Sequence, residues 1–171
     1  MKKIYFAGKF NLLKDNDLTL EEKLVNDFRS EILGDSKKLT YADENLKLDN
    51  GYVYSGPFYC EQASNGDFTS TDCNVVLKAE YEAVSKCDVY FVLFDQKFSV
   101  GSIVELDWAL EMNKDIVIFY EEEESEHDIK SEYWFAIANA LSKSKKVKVF
   151  KFNDINNVVS EIIKGEIFNE V

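Results

Sequence analysis

Segments with the apolar character of strands alternate along this chain with segments of helical periodicity. That order restricts the fold to a parallel sheet covered by helices on both faces. Lys3 to Ala7 reads as a short buried strand closed by a turn at Gly8. Thr19-Leu20-Glu21-Glu22 opens a helix whose apolar positions Leu20, Leu24, Phe28 and Ile32 recur at helical spacing up to Gly34. Between residues 35 and 70 the pattern weakens. Leu39 to Ala42 and Tyr52 to Tyr54 are candidate strands, and Ser55-Gly56-Pro57 breaks the pattern with the chain's only proline. Asp72 can cap a helix running to about Lys86, and Asp88 to Phe94 is the most hydrophobic strand candidate. Ser99 can cap a helix from about Val100 to Asn113, and Asp115 to Tyr120 follows as a strand. Tyr133 to Leu141 reads as a helix, Val147 to Phe152 as a strand, and Ile155 to Ile163 as a terminal helix. The expectation is one α/β domain over residues 1–171, with a mainly parallel sheet of about five strands.

Composition narrows the function classes. The chain has 171 residues, of which 46% are hydrophobic and 30% charged, which suits a globular domain with its own core. No apolar run approaches the roughly 20 residues that span a bilayer. The start, Met1 to Gly8, is basic and then apolar but too short for the core of a signal peptide, so a cytoplasmic location is expected. Cys60, Cys73 and Cys87 form no CxxC pair and His127 is the only histidine; reduced thiols and no metal site are expected. A net charge of -12 argues against a nucleic-acid polymer or an anionic membrane as partner, because both demand a positive footprint. It leaves open a nucleoside, which is uncharged.

Four places can carry chemistry. Gly101-Ser102-Ile103-Val104-Glu105-Leu106 sets a glycine turn and an acid after the Asp88 to Phe94 strand, where open α/β sheets bind ligands. Glu105 is the first candidate: about one turn from a helix N-terminus its ionised form is favoured, and an ionised, partly shielded carboxylate can be a nucleophile. Favourable first-turn charge is the plainer explanation of the same residue. Glu80 falls at i+4 from Val76, inside the apolar stripe that continues through Ala83, Val84 and Cys87. An inward carboxylate there is costly unless it is hydrogen-bonded, snorkels to the rim or serves a site. Asp95 ends the apolar strand and either binds a polar ligand or begins the turn. Tyr5, Phe6 and Phe10 surround Gly8, and an aromatic ring there can stack on a planar base. Neither the G-x-G-x-x-G nor the Walker pattern accompanies Gly8, so dinucleotide binding in the usual mode is unsupported.

The initial Ile4-Tyr5-Phe6-Ala7-Gly8-Lys9-Phe10, the strand Asp88 to Asp95 and the run Gly101 to Ala109 together resemble the nucleoside 2-deoxyribosyltransferase family. The resemblance implies a flavodoxin-like or Rossmann-like three-layer sandwich and a cofactor-free, homo-oligomeric enzyme. Such an enzyme cleaves or transfers the N-glycosidic bond of a nucleoside or nucleotide, with a free nucleobase as a second partner. It implies that Glu105 is the nucleophile attacking the anomeric carbon, that Tyr5 hydrogen-bonds this glutamate, and that Asp95 protonates or orients the base. Phe10 would pack on the base and Glu80 would meet the sugar hydroxyls, with Gly8, Gly101 and Ser102 completing the substrate site. Asp107 stands where the family has a glycine, and Glu80 where it has an aspartate. Nucleotide hydrolases belong to the same family, and the fold is similar to that of enzymes cleaving NAD, so hydrolysis and non-catalytic nucleotide sensing are the alternatives.

Overall fold

All six residues of Val89–Phe94 are buried, as a strand covered on both faces of a parallel sheet requires. The computed structural model describes residues 2–7, 53–56, 73–94, 100–121 and 133–152. Their elements are β1 (Lys3–Ala7), β2 (Val53–Gly56), α1 (Cys73–Lys86), β3 (Val89–Phe94), α2 (Val100–Glu111), β4 (Asp115–Glu121), α3 (Trp134–Lys143) and β5 (Val147–Phe152). The helices expected over Leu20 to Ile32 and Ile155 to Ile163, and the strand expected over Leu39 to Ala42, lie outside the described residues.

The strands form one five-stranded sheet in the order β2-β1-β3-β4-β5, and every neighbouring pair is parallel. This is the flavodoxin-like α/β order, and its direction reverses between β1 and β3. Ligands of such sheets bind outside the carboxyl ends of the strands at that switch point. Register pairs Tyr5 with Tyr90 and Phe6 with Phe91 across it. Alternation along a strand sends the two pairs to opposite faces. On one face the rings of Phe6, Phe91, Phe119 and Phe150 run across four strands with centroids 5.4, 5.4 and 5.0 Å apart. On the other, α1 and α2 cover the two tyrosines.

At three of the boundaries that differ from the sequence expectation, the backbone shows why. β2 starts at Val53, whose N–H donates to the Lys2 carbonyl at 3.0 Å, and continues through Ser55 to Gly56, which pairs with Tyr5 across a register shift. Asp88 precedes β3: its carboxylate accepts the Lys3 N–H at 2.8 Å and its own N–H donates to the Lys3 carbonyl at 2.9 Å. α2 stops at Glu111 because Asn113 turns to φ 54. The N–H groups of Lys114 and Asn113 then close on the carbonyls of Ala109 and Leu110, both at 3.0 Å, the Schellman pattern of a helix end. Among the described residues no helix is long and apolar enough to cross a membrane.

Candidate active site

The site grows from two neighbouring strand positions. Tyr5 and Tyr90 are both fully buried, and their rings stack with centroids 5.7 Å apart and planes 15° apart. A buried hydroxyl needs a partner, and each ring finds one on a different helix. The Tyr5 hydroxyl donates to Glu80 Oε2 on α1 at 2.7 Å. The Tyr90 hydroxyl donates to the Ser102 carbonyl in the first turn of α2 at 2.8 Å. The stacked pair thereby ties two helices to the switch point.

Glu80 occupies the inward position that its place in the apolar stripe implied, beside buried Ala83, Val84 and Cys87; the side chain of Val76 lies outside the described residues. Its hydrogen bond with Tyr5 is part-buried, which is how an inward carboxylate is tolerated there. On α2 the buried residues are Ser102, Leu106 and Ala109, with Ile103 and Leu110 partly buried against the core. Glu105 is one turn from both Ser102 and Ala109 and half-buried, on the core-facing side of the helix.

Electrostatics bring Glu105 to the same place. Burial first, then the negative charge of Glu105, then that of Glu80 and its hydrogen bond hold the Tyr5 hydroxyl well above the ordinary tyrosine range. Burial and then the Glu105 charge do the same to Tyr90. Both hydroxyls are therefore neutral donors at neutral pH. The resemblance put the Tyr5 proton on Glu105; in the structure that hydrogen bond goes to Glu80, and Glu105 acts on Tyr5 through its charge. A carboxylate beside buried rings attracts a developing positive charge far more strongly than one in water.

Two further residues shape the Tyr5 wall without having been expected there. Gly56 has φ +142, and a Cβ on it would lie 2.8 Å from Tyr5 Cε2 and 3.0 Å from Ala83 Cβ. Ser55, buried beside it, donates its hydroxyl to the Ala83 carbonyl at 3.0 Å and fixes β2 to α1. The break at Ser55-Gly56-Pro57 was the sequence signal for Gly56. Gly101 is exposed, and a Cβ there would meet nothing within 4 Å, so the first turn of α2 has open space beside it.

Gly8, Phe10 and Asp95 lie outside the described residues, as do Cys60 and His127. Asp107, in the place of the family glycine, accepts a hydrogen bond from Lys143 Nζ at 2.8 Å and joins α2 to α3. Trp108 packs its ring against Tyr81 across the two helices, edge to face at 5.3 Å. Trp134 lies off the buried face of α3. The buried positions of its helix are Tyr133, Ile137 and Ala140, one residue out of phase, so its ring is half-exposed. Cys87 is a buried free thiol, pushed by burial to about 12, and so an inert one. Among the described residues no group of His, Cys, Asp and Glu could hold a metal ion.

The fold is shared with a nucleotide glycosidase. The Clostridium botulinum CMP N-glycosidase BcmB is similar over 94% of this chain and 97% of its own, with a TM-score of 0.58 and 17% sequence identity. No family model matches the chain, and no curated protein sequence does. At that identity the likeness establishes the architecture: a flavodoxin-like α/β fold across nearly the whole of both chains.

Proposed function

We propose that this protein cleaves the N-glycosidic bond of a nucleoside or nucleotide, with Glu105 as nucleophile. The observation that carries the reading is the half-buried Glu105 on the core-facing side of α2, one turn from Ser102, whose carbonyl is held by Tyr90, the register partner of Tyr5 at the switch point of the sheet. The fold shared with a CMP N-glycosidase supports it, as does the order of motifs around Tyr5 and Glu105.

In this mechanism a Glu105 carboxylate oxygen bonds to the anomeric carbon as the carbon–nitrogen bond breaks. The bonding electrons leave with the base, which takes a proton from an acid; Asp95 is assigned that role. Positive charge builds on the sugar in the transition state, and the Glu105 carboxylate stabilises it before bonding. Water then attacks the same carbon and gives a proton back to the acid that protonated the base, which releases the sugar and restores the carboxylate, the double displacement of retaining glycosidases. Tyr5 donates its hydrogen bond to Glu80, and the negative charge of Glu105 bears on both buried tyrosines. Glu80, held by Tyr5, faces the sugar hydroxyls. The resemblance gives Gly8 and Phe10 to the base, and the backbone N–H groups at Gly101 and Ser102 are the place for a 5′-phosphate, since the positive end of a helix receives anions. Transfer of the sugar to a second base is the other outcome of the same intermediate, and the resemblance to the deoxyribosyltransferases favours it. Self-association belongs to this reading.

The test is incubation with deoxynucleosides, ribonucleosides, their monophosphates and NAD, with and without an acceptor base, followed by chromatography. Free sugar identifies hydrolysis and base exchange identifies transfer. Glu105→Gln is expected to lower base release by at least about a thousandfold with an unchanged circular dichroism spectrum. Retained release in that variant excludes Glu105 as nucleophile.

A further inference from the structure

The geometry points to Tyr90 as a positioning residue that anchors the first turn of α2 and thereby fixes where Glu105 stands. This rests on the assignment of Glu105 as nucleophile. Tyr90 attracted no notice in the sequence because it lies within an unbroken apolar strand.

Each step follows from named contacts. Tyr90 sits on the strand that forms one side of the switch point, in register with Tyr5, and its ring has no exposed surface. Its hydroxyl crosses from the sheet to the helix and donates to the Ser102 carbonyl at 2.8 Å. That carbonyl is also the regular acceptor for the Leu106 N–H, which encloses Glu105 within the same helical turn. Ser102 and Glu105 stand at i and i+3, on one side of the helix. A bond that immobilises Ser102 against β3 therefore immobilises the base of the Glu105 side chain.

Val100 and Gly101 are exposed, and no Cβ at Gly101 would touch a neighbour. The first four N–H groups of any helix lack intrahelical partners, so this turn is the part of α2 most given to fraying. Glycosylation demands a carboxylate oxygen within near-attack distance of the anomeric carbon, and a displacement of about 1 Å can cost on the order of a hundredfold in rate. Tyr90 is a buried group that reaches from the sheet to hold the turn. Tyr5 gives its proton to the other helix, so the two stacked tyrosines do separate work: one orients Glu80, the other Glu105.

Tyr90→Phe keeps the ring and its stack on Tyr5 and removes only the hydroxyl. The expected result is a fall in kcat of about tenfold with KM within about twofold, since substrate still binds but is attacked less often. Hydrogen exchange followed by mass spectrometry is expected to show faster exchange in residues 100–106 of the free variant, with α1, α3 and β4 as in wild type. A purely structural role would lower the unfolding midpoint and spread faster exchange over the sheet while leaving kcat unchanged. Unchanged exchange in residues 100–106 overturns the anchor, and altered exchange with unchanged kcat overturns its role in positioning. Failure of the nucleophile assignment is read separately from Glu105→Gln. The exchange measurement decides whether Tyr90 holds the turn even if no tested nucleoside or nucleotide is cleaved.

Discussion

Gly56 and Gly101 sit at opposite ends of what a glycine can do beside a site. At Gly56 the backbone has φ +142, a conformation that L side chains rarely adopt, and an added Cβ would press on Tyr5 at 2.8 Å and on Ala83 at 3.0 Å. Both neighbours are in the core, so neither yields cheaply. Gly56→Ala is expected to destabilise the protein by about 2–4 kcal/mol, from backbone strain and overpacking together. It should also lower base release by pushing Tyr5 away from Glu80. Gly101 is helical and faces open space, so Gly101→Ala is expected to stabilise by about 0.5–1 kcal/mol through helix propensity alone. Urea unfolding of the two variants checks the opposite signs. Equal destabilisation would mean that Gly101 is also held by a contact.

At the scale of elements, β1 and β3 place two tyrosines, and the link between α1 and β3 places Cys87, where water does not reach, and the consequence appears at high pH. Tyr5 and Tyr90 are held by burial well above the ordinary value of 10.0, and Cys87 is pushed from 9.0 to about 12. In the unfolded chain these groups lose their protons at the ordinary values, while the folded chain retains them. Their contribution to stability is thus intact below pH 9. It falls from pH 9 to about 12 for the thiol and from pH 10 upward for the tyrosines, at up to about 1.4 kcal/mol per pH unit for each group. The urea midpoint of wild type is expected to begin falling near pH 9, and that of Cys87→Ala nearer pH 10. A midpoint flat to pH 11 would contradict the burial of all three. These same elements show what the sequence could reveal. An unbroken apolar run identified β3, and a carboxylate inside an apolar stripe identified Glu80 as a residue needing a partner. The run could not disclose what Tyr90 does, because a strand buried on both faces has no polar alternation to say which face a ring takes. The backbone of Gly56 was hidden for a related reason: its φ is imposed by the register shift against β1, a contact between segments far apart in the chain.

The whole molecule carries a net charge of -12, and two copies repel unless they meet through a surface poor in charge. An apolar strip runs over α1 and α2, flanked by the exposed charges of Lys78, Glu82 and Glu111. Leu77 and Tyr81, 54% and 45% exposed, lie one turn apart on α1, and Val100 and Val104, 59% and 39% exposed, lie one turn apart on α2. Both helices connect parallel strands and so run in the same direction. The Tyr81–Trp108 contact therefore brings Leu77 alongside Val104, one turn earlier on each. An exposed apolar strip on a strongly anionic chain suits a second copy of itself, because the contact removes apolar surface from water. A dimer formed through this face would have a salt dependence that tests its physics. Screening weakens the long-range repulsion between the two anionic bodies and leaves the apolar contact intact, so the dissociation constant is expected to fall as salt rises from 0.05 to 0.5 M. An interface built on ion pairs would weaken instead. Leu77→Asp, which adds a like charge to the centre of the contact, is expected to yield monomer at concentrations where wild type is dimeric, with its unfolding midpoint nearly unchanged at this exposed position. Sedimentation equilibrium measures both effects, and a monomeric wild type at 100 µM in 0.5 M salt would remove this face as the site of self-association.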